Sequence, residues 1–157
     1  MSRDCFVFLN KMIKFDNSET RPARFRTDRF ADMRSFFECW NFQCSTVVNP
    51  EDWVTIDECL YACHNELAFK TYNANKPAKY GINIKCLNAV IYPYTYHSEV
   101  FAGKPELFEH AEHYCPDLFQ LVIKILEKVG WRKLAGCNLT NDNYTSIPLA
   151  SKLLEKN

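Results

Sequence analysis

The chain is 157 residues long, 47% apolar and 15% aromatic (12 Phe, 8 Tyr, 3 Trp), enough to bury the core of one domain and too aromatic for a disordered chain. Nineteen basic and nineteen acidic residues cancel, so no global field marks a nucleic-acid or membrane partner. Its four glycines, Gly81, Gly103, Gly130 and Gly136, cannot build a P-loop or a Rossmann phosphate cradle.

In chain order, the segment to about Arg26 reads as polar and irregular, with Arg21, Arg24, Arg26 and Arg29 giving it a basic character. The apolar run Cys5 to Leu9 is too short for a signal peptide, which makes an intracellular protein the expectation. From Asp28, Phe30, Met33, Phe37, Trp40 and Cys44 recur at helical steps, and Asn49-Pro50 ends that helix. Trp53 to Leu60 is rich in β-formers. Lys76 to Lys79 is a loop, and Tyr80 to Val90 alternates Ile82, Ile84 and Cys86 against Asn83 and Lys85. A third β-like run spans Tyr92 to Phe101, interrupted by Pro93 and closed at Gly103. Helices follow over Pro105 to His113 and Pro116 to Val129, then a fourth strand over Lys133 to Leu139. Ser146 is the N-cap of a last helix, with Pro148 in its first turn. No segment is apolar for long enough to span a bilayer.

Three consecutive strands predict an antiparallel meander, and the helical crossover returns the fourth strand parallel to one of them. The fold class is therefore α/β: an incomplete RNase H-like domain over 51–157, with a helical lead-in over 1–50. In that layout the first and fourth strands are neighbours running the same way, which brings Asp57 and Asp142 together near one sheet end. Two such carboxylates repel unless a cation lies between them, and two Mg²⁺ ions about 4 Å apart are the usual device for phosphodiester chemistry. The competing reading is a pair of ordinary surface acids. Eight cysteines without a secretory leader should be mostly reduced. The pairs Cys39/Cys44, Cys59/Cys63/His64 and His110/His113/Cys115 have ligand-like spacing. No C-x-x-C occurs, however, and no structural zinc is expected.

Thr55-Ile56-Asp57-Glu58, then Phe69-Lys70-Thr71-Tyr72, then Asn75-Lys76-Pro77-Ala78-Lys79-Tyr80-Gly81-Ile82, resembles the catalytic-domain signature of piggyBac transposases and proteins derived from them. Thr20-Arg21-Pro22 and Asp28 to Arg34 upstream are similar to that family's lead-in. Val100 to Lys104 and Asn143 to Ala150 match downstream. The similarity runs from about Phe15 to the C-terminus. It implies a DDE-type domain in which three aspartates bind Mg²⁺, or Mn²⁺ in its place, and support hydrolysis and strand transfer at transposon ends in the nucleus. The first aspartate maps onto Asp57. The second maps onto Asp142 when anchored on Asn138-Leu139-Thr140, or onto Asn141 when anchored backwards from Ser146. The strand anchor is preferred because it fixes side-chain direction.

The sequence departs from the family in four places. No residue stands in for the third aspartate, and the family's cysteine-rich zinc module has no counterpart here. An aromatic-Arg-Gly-Arg stretch is replaced by Cys63-His64-Asn65-Glu66, and one of two aromatics before Thr145 is missing. The expectation is a truncated transposase domain without turnover of its own, its sheet edge open to a related full-length transposase. The alternative is a non-catalytic module that binds DNA or a protein. Arg21, Arg24, Arg26, Lys76 and Lys79, with Arg29, Lys70 and Lys85 and interleaved aromatics such as Phe25, Phe30, Tyr72 and Tyr80, form the candidate DNA-contacting stripe.

Overall fold

The computed structural model describes residues 1–103 and 117–156. Its elements are α1 (Arg3–Met12), α2 (Arg21–Arg24), α3 (Ala31–Val47), β1 (Trp53–Ala62), β2 (Thr71–Tyr72), β3 (Tyr80–Ala89), β4 (Thr95–Val100), α4 (Leu118–Val129), α5 (Trp131–Leu134), β5 (Asn138–Asn141) and α6 (Ile147–Leu154). The helix expected over Pro105 to His113, together with His110, His113 and Cys115, lies outside the described residues.

β3 organises the sheet. It pairs antiparallel with β1, β2 and β4, while β5 pairs parallel with the far side of β1. The meander and the parallel fourth strand of the α/β layout are therefore both present. The two-residue strand β2 was not foreseen, being too short to show a period of its own.

Side-chain alternation divides the sheet into two faces. Val54, Ile56 and Leu87 point to one face and pack with Val122, Ile125, Leu126 and Val129 of α4, Leu134 of α5 and Leu149 of α6. Ile82, Ile84 and Val100 point to the other, against Phe30, Met33 and Phe37 at the α3 side and Phe69. The α4 stripe follows from four buried residues at steps of three and one, capped at its start by the Asp117 carboxylate accepting from the Phe119 N–H at 3.1 Å. Gly130 ends it at φ 102°, where an L side chain would be strained.

Polar contacts bind α3 to the rest. Asp28 accepts the Phe30 N–H at 2.9 Å and two bonds from the Arg34 guanidinium at 2.6 and 3.0 Å, a buried bidentate pair that starts the helix. Midway along, the Asn41 amide donates to the Ser98 carbonyl at 2.8 Å and accepts the Ser98 N–H at 2.9 Å, so a side chain takes the place of a neighbouring strand beside β4. At the end of α3, the Tyr94 hydroxyl and the Lys133 ammonium donate to the carbonyls of Cys44 and Ser45 at 2.7 and 2.6 Å.

Two expectations are corrected. The segment before Arg26 is not irregular throughout. It forms α1, capped by the Ser2 hydroxyl accepting the Cys5 N–H at 3.2 Å, and the short α2. Cys5, Phe8, Leu9 and Met12 in fact carry a helical spacing, yet no α1 residue is buried. The fourth strand starts at Asn138 rather than Lys133: Trp131–Leu134 is helical, and a turn through Gly136 at φ 80° precedes β5.

Two measurements test this packing. Asn41→Ala strands both backbone groups of Ser98, and urea denaturation should show a loss of about 3 kcal/mol. Glu99 is partly buried; burial pushes its carboxyl up, but the hydrogen bond from His97 and the Lys124 ammonium outweigh this and hold it at about 2. Because the folded value lies below the unfolded one, the stabilisation is complete above the unfolded value and disappears as pH falls toward 2. Between pH 5 and pH 3 the wild type should lose about 2 kcal/mol more than Glu99→Gln, read from paired urea titrations.

Candidate functional site

The parallel ladder of β1 and β5 sets Trp53 beside Asn138, Val54 beside Leu139, Thr55 beside Thr140 and Ile56 beside Asn141. Asp57 and Asp142 each come one residue after the last pair, Asp57 still on β1 and Asp142 in the turn that follows β5. Both are exposed. Their neighbours account for this: Val54 and Ile56 are each 1% exposed, so the period of two turns Asp57 to the opposite face. Asn141, the other candidate for the second position, shares a register position with core-facing Ile56. Its amide oxygen accepts the Thr145 hydroxyl at 2.7 Å, closing the turn that carries Asp142.

Tyr144 pins that turn from below. It is 5% exposed within the main core, and the Lys85 ammonium sits 5.6 Å from its ring centroid. Lys85 forms an ion pair with Glu58, its cross-strand partner. Burial pushes the Lys85 ammonium down, but Glu58 and Tyr144 outweigh that and raise it, while Lys85 lowers Glu58. Burial raises Tyr144 despite its bond with Lys85. At neutral pH this cluster is a charged pair under a neutral phenol. Sequence reading placed Lys85 in a DNA stripe; its signal for this role was the cross-strand position opposite an acid.

On the Asp57 side of the sheet the partner residue is Cys86. Burial pushes its thiol up to about 12, with Cys59 and Asp57 adding to the effect despite Ser98, so it stays protonated. The Asp57 carboxylate accepts the Glu58 N–H at 2.7 Å, and among the described residues neither Asp57 nor Asp142 has a cationic partner. Two unpaired oxygen donors beside a protonated thiol fit a hard divalent cation that keeps several waters, rather than zinc. Among the described residues no group of three or more His, Cys, Asp or Glu side chains could hold a metal ion.

The five basic candidates lie on two separate stretches. Arg21 and Arg24 both pair with Asp16, and Arg24 also donates to the Ala31 carbonyl at 2.6 Å. The hydrogen bond from Arg21 leads in holding Asp16 down to about 2, with Arg24 helping against burial. These two arginines thus brace α2, whereas Arg26 is exposed. On the β2–β3 hairpin, Lys76 donates to the Glu58 carbonyl at 3.3 Å, which brings its ammonium beside the residue after Asp57, and Lys79 is exposed. Among the described residues no helix is long and apolar enough to cross a membrane.

Comparison with known proteins adds three findings. The family model described as Transposase IS4 matches residues 1–157. A cryo-EM structure of a piggyBac transposase synaptic complex with hairpin DNA is 31% identical, with a TM-score of 0.80 over 99% of this chain and 32% of the transposase chain. The chain therefore spans about a third of that transposase's length. No match was found among curated proteins. The α/β fold is that of the RNase H-like catalytic domain in that structure.

Removing the pin should be costly. Tyr144→Ala opens a core cavity beneath the Asp142 turn and takes a partner from Lys85; a loss of about 3 kcal/mol is expected by thermal and urea denaturation, against about 1 kcal/mol for Tyr144→Phe.

Proposed function

The chain belongs to the piggyBac-type IS4 transposase family, and from that premise we propose that it carries two of the carboxylates of a Mg²⁺-dependent DNA-cleavage and strand-transfer site. The observation that supports this is the ladder register: Asp57 and Asp142 follow the last pair of a parallel β1–β5 pairing, exposed and, among the described residues, without cationic partners. When bound, a divalent cation at these residues neutralises charge on phosphodiester oxygens. The chain's own part is to hold two oxygen donors side by side. Val54 and Ile56 set the direction of Asp57, while Tyr144, the Glu58–Lys85 pair and the Asn141–Thr145 bond set the turn of Asp142.

DNA is the proposed partner, in keeping with the hairpin DNA of the similar transposase complex. Arg26 and Lys79 are its exposed cationic contacts, and Lys76 lies close to the carboxylates. The chain's part in that reaction is to bring metal at Asp57 and Asp142 together with DNA at the basic residues. Positioned metal supplies most of the rate of phosphoryl transfer.

Mn²⁺ binding, followed by electron paramagnetic resonance of the free ion, tests the assignment. Asp57→Asn and Asp142→Asn should each weaken binding at least about tenfold, because each removes one of two anionic ligands. Glu66→Gln should leave it unchanged. Wild-type affinity in both Asn variants would leave a DNA- or protein-binding module without a metal site.

A further inference from the structure

The Asn75-Lys76-Pro77-Ala78-Lys79-Tyr80-Gly81 motif is only partly accounted for by the carboxylate site. It forms the tip and return strand of the β2–β3 hairpin, with Tyr72 paired to Tyr80 and Thr71 to Gly81. The Asn73 N–H donates to the Lys79 carbonyl at 2.8 Å, and the Asn73 side chain accepts the Asn75 N–H at 3.0 Å. Gly81 has a steric reason: a Cβ there would lie 2.1 Å from the Tyr61 carbonyl oxygen. Only glycine lets β3 come this close to β1.

What the hairpin presents is aromatic. The Tyr72 and Tyr80 rings lie 4.8 Å apart and are 55% and 56% exposed. The Lys70 ammonium stands 5.8 Å from the Tyr80 centroid, held by the Asn65 carbonyl at 3.2 Å. Tyr61 is 58% exposed on the same sheet face. Tyr80 alternates in phase with Ile82, Ile84 and Cys86, and Cys86 is the cross-strand partner of Asp57. The tyrosine pair and Asp57 therefore occupy one face, roughly 20 Å apart along β3.

We propose that Tyr72 and Tyr80 are a stacking platform for unpaired nucleotides of a DNA strand, with Lys70 and Lys79 as phosphate contacts. Exposed paired rings offer π-faces that every base can meet, and a duplex hides those base faces within its own stack. The local charge complements a strand: between Asn65 and Gly81, Lys70, Lys76 and Lys79 stand against one carboxylate, Glu66. Between the platform and Asp57, Ile82 and Ile84 are covered by the Phe30 and Phe69 cluster, so a strand on the platform is held to one side of that cluster. The platform deepens the transposase reading and rests on it for the choice of DNA as occupant.

Fluorescence anisotropy of the 157-residue chain with labelled oligothymidylate, and with a blunt duplex, tests this. Tyr72→Ala and Tyr80→Ala should each weaken single-strand binding about tenfold and leave duplex binding unchanged. Tyr80→Phe should retain wild-type affinity. Tyr80→Leu, which keeps bulk without a π-face, serves if circular dichroism shows the alanine variant unfolded. Unchanged single-strand affinity, or equal losses on strand and duplex, overturns the platform, and tighter binding of oligouridylate overturns the assignment to DNA. Mn²⁺ binding by the same variants keeps the two readings apart. It should persist in the tyrosine variants, and its insensitivity to Asp57→Asn would sink the metal site while leaving the platform standing.

Discussion

The parallel pairing of β1 with β5 is the constraint on which the rest of the structure depends. Side chains alternate with a period of two, so burying Val54 and Ile56 commits Asp57 to the opposite face. The register Ile56–Asn141 then makes Asp57 and Asp142 the residues that follow its last pair. A slip of one residue in either strand would send a carboxylate into the core, where its desolvation would cost several kcal/mol. The α4 stripe, the Gly130 stop and the α5 turn all serve to return the chain to β1 in that register.

The two sides of the sheet divide the work. On the core side, Glu58, Lys85 and Tyr144 form a polar cluster inside an otherwise apolar packing. Partly buried ions of this kind are costly unless mutually satisfied, and here each has its partner. On the other side, Asp57 and the exposed tyrosines lie at opposite ends of a face whose middle, Ile82 and Ile84, is covered by Phe30, Phe37 and Phe69, and the protonated Cys86 thiol is buried. The main core lies on one face, and a smaller cluster and the candidate chemistry share the other.

Arginine and lysine positions show how different the fates of similar residues can be. Arg21 and Arg24 read from the chain as available cations, yet Asp16 engages both. Lys85 read as a DNA contact, yet it completes a partly buried pair. Lys79 and Arg26 remain at the surface. A one-dimensional count of charges carries no information on which carboxylate lies within reach, because the partners are set by folding: locally for Asp16, and across 27 residues for Glu58 and Lys85.

Local pattern by itself determined a good deal of this protein. The α3 and α4 stripes, the alternation of β3, the N-cap at Ser146 and the α/β order all follow from periods of 3.6 and 2 and from capping chemistry, which act over a few residues. The motif around Asp57 and the Asn-Lys-Pro string identified the family, and the two carboxylates were named from topology. Tertiary structure decided the rest. Leu134 faces the core from a helix and the strand starts later, at Asn138, because Gly136 turns the chain between them. Asn141 bonds Thr145 while Asp142 is exposed in the turn, and Gly81 is glycine because the Tyr61 carbonyl lies against it. Each of these depends on atoms brought together from distant parts of the chain, and local propensity cannot encode which atoms those are.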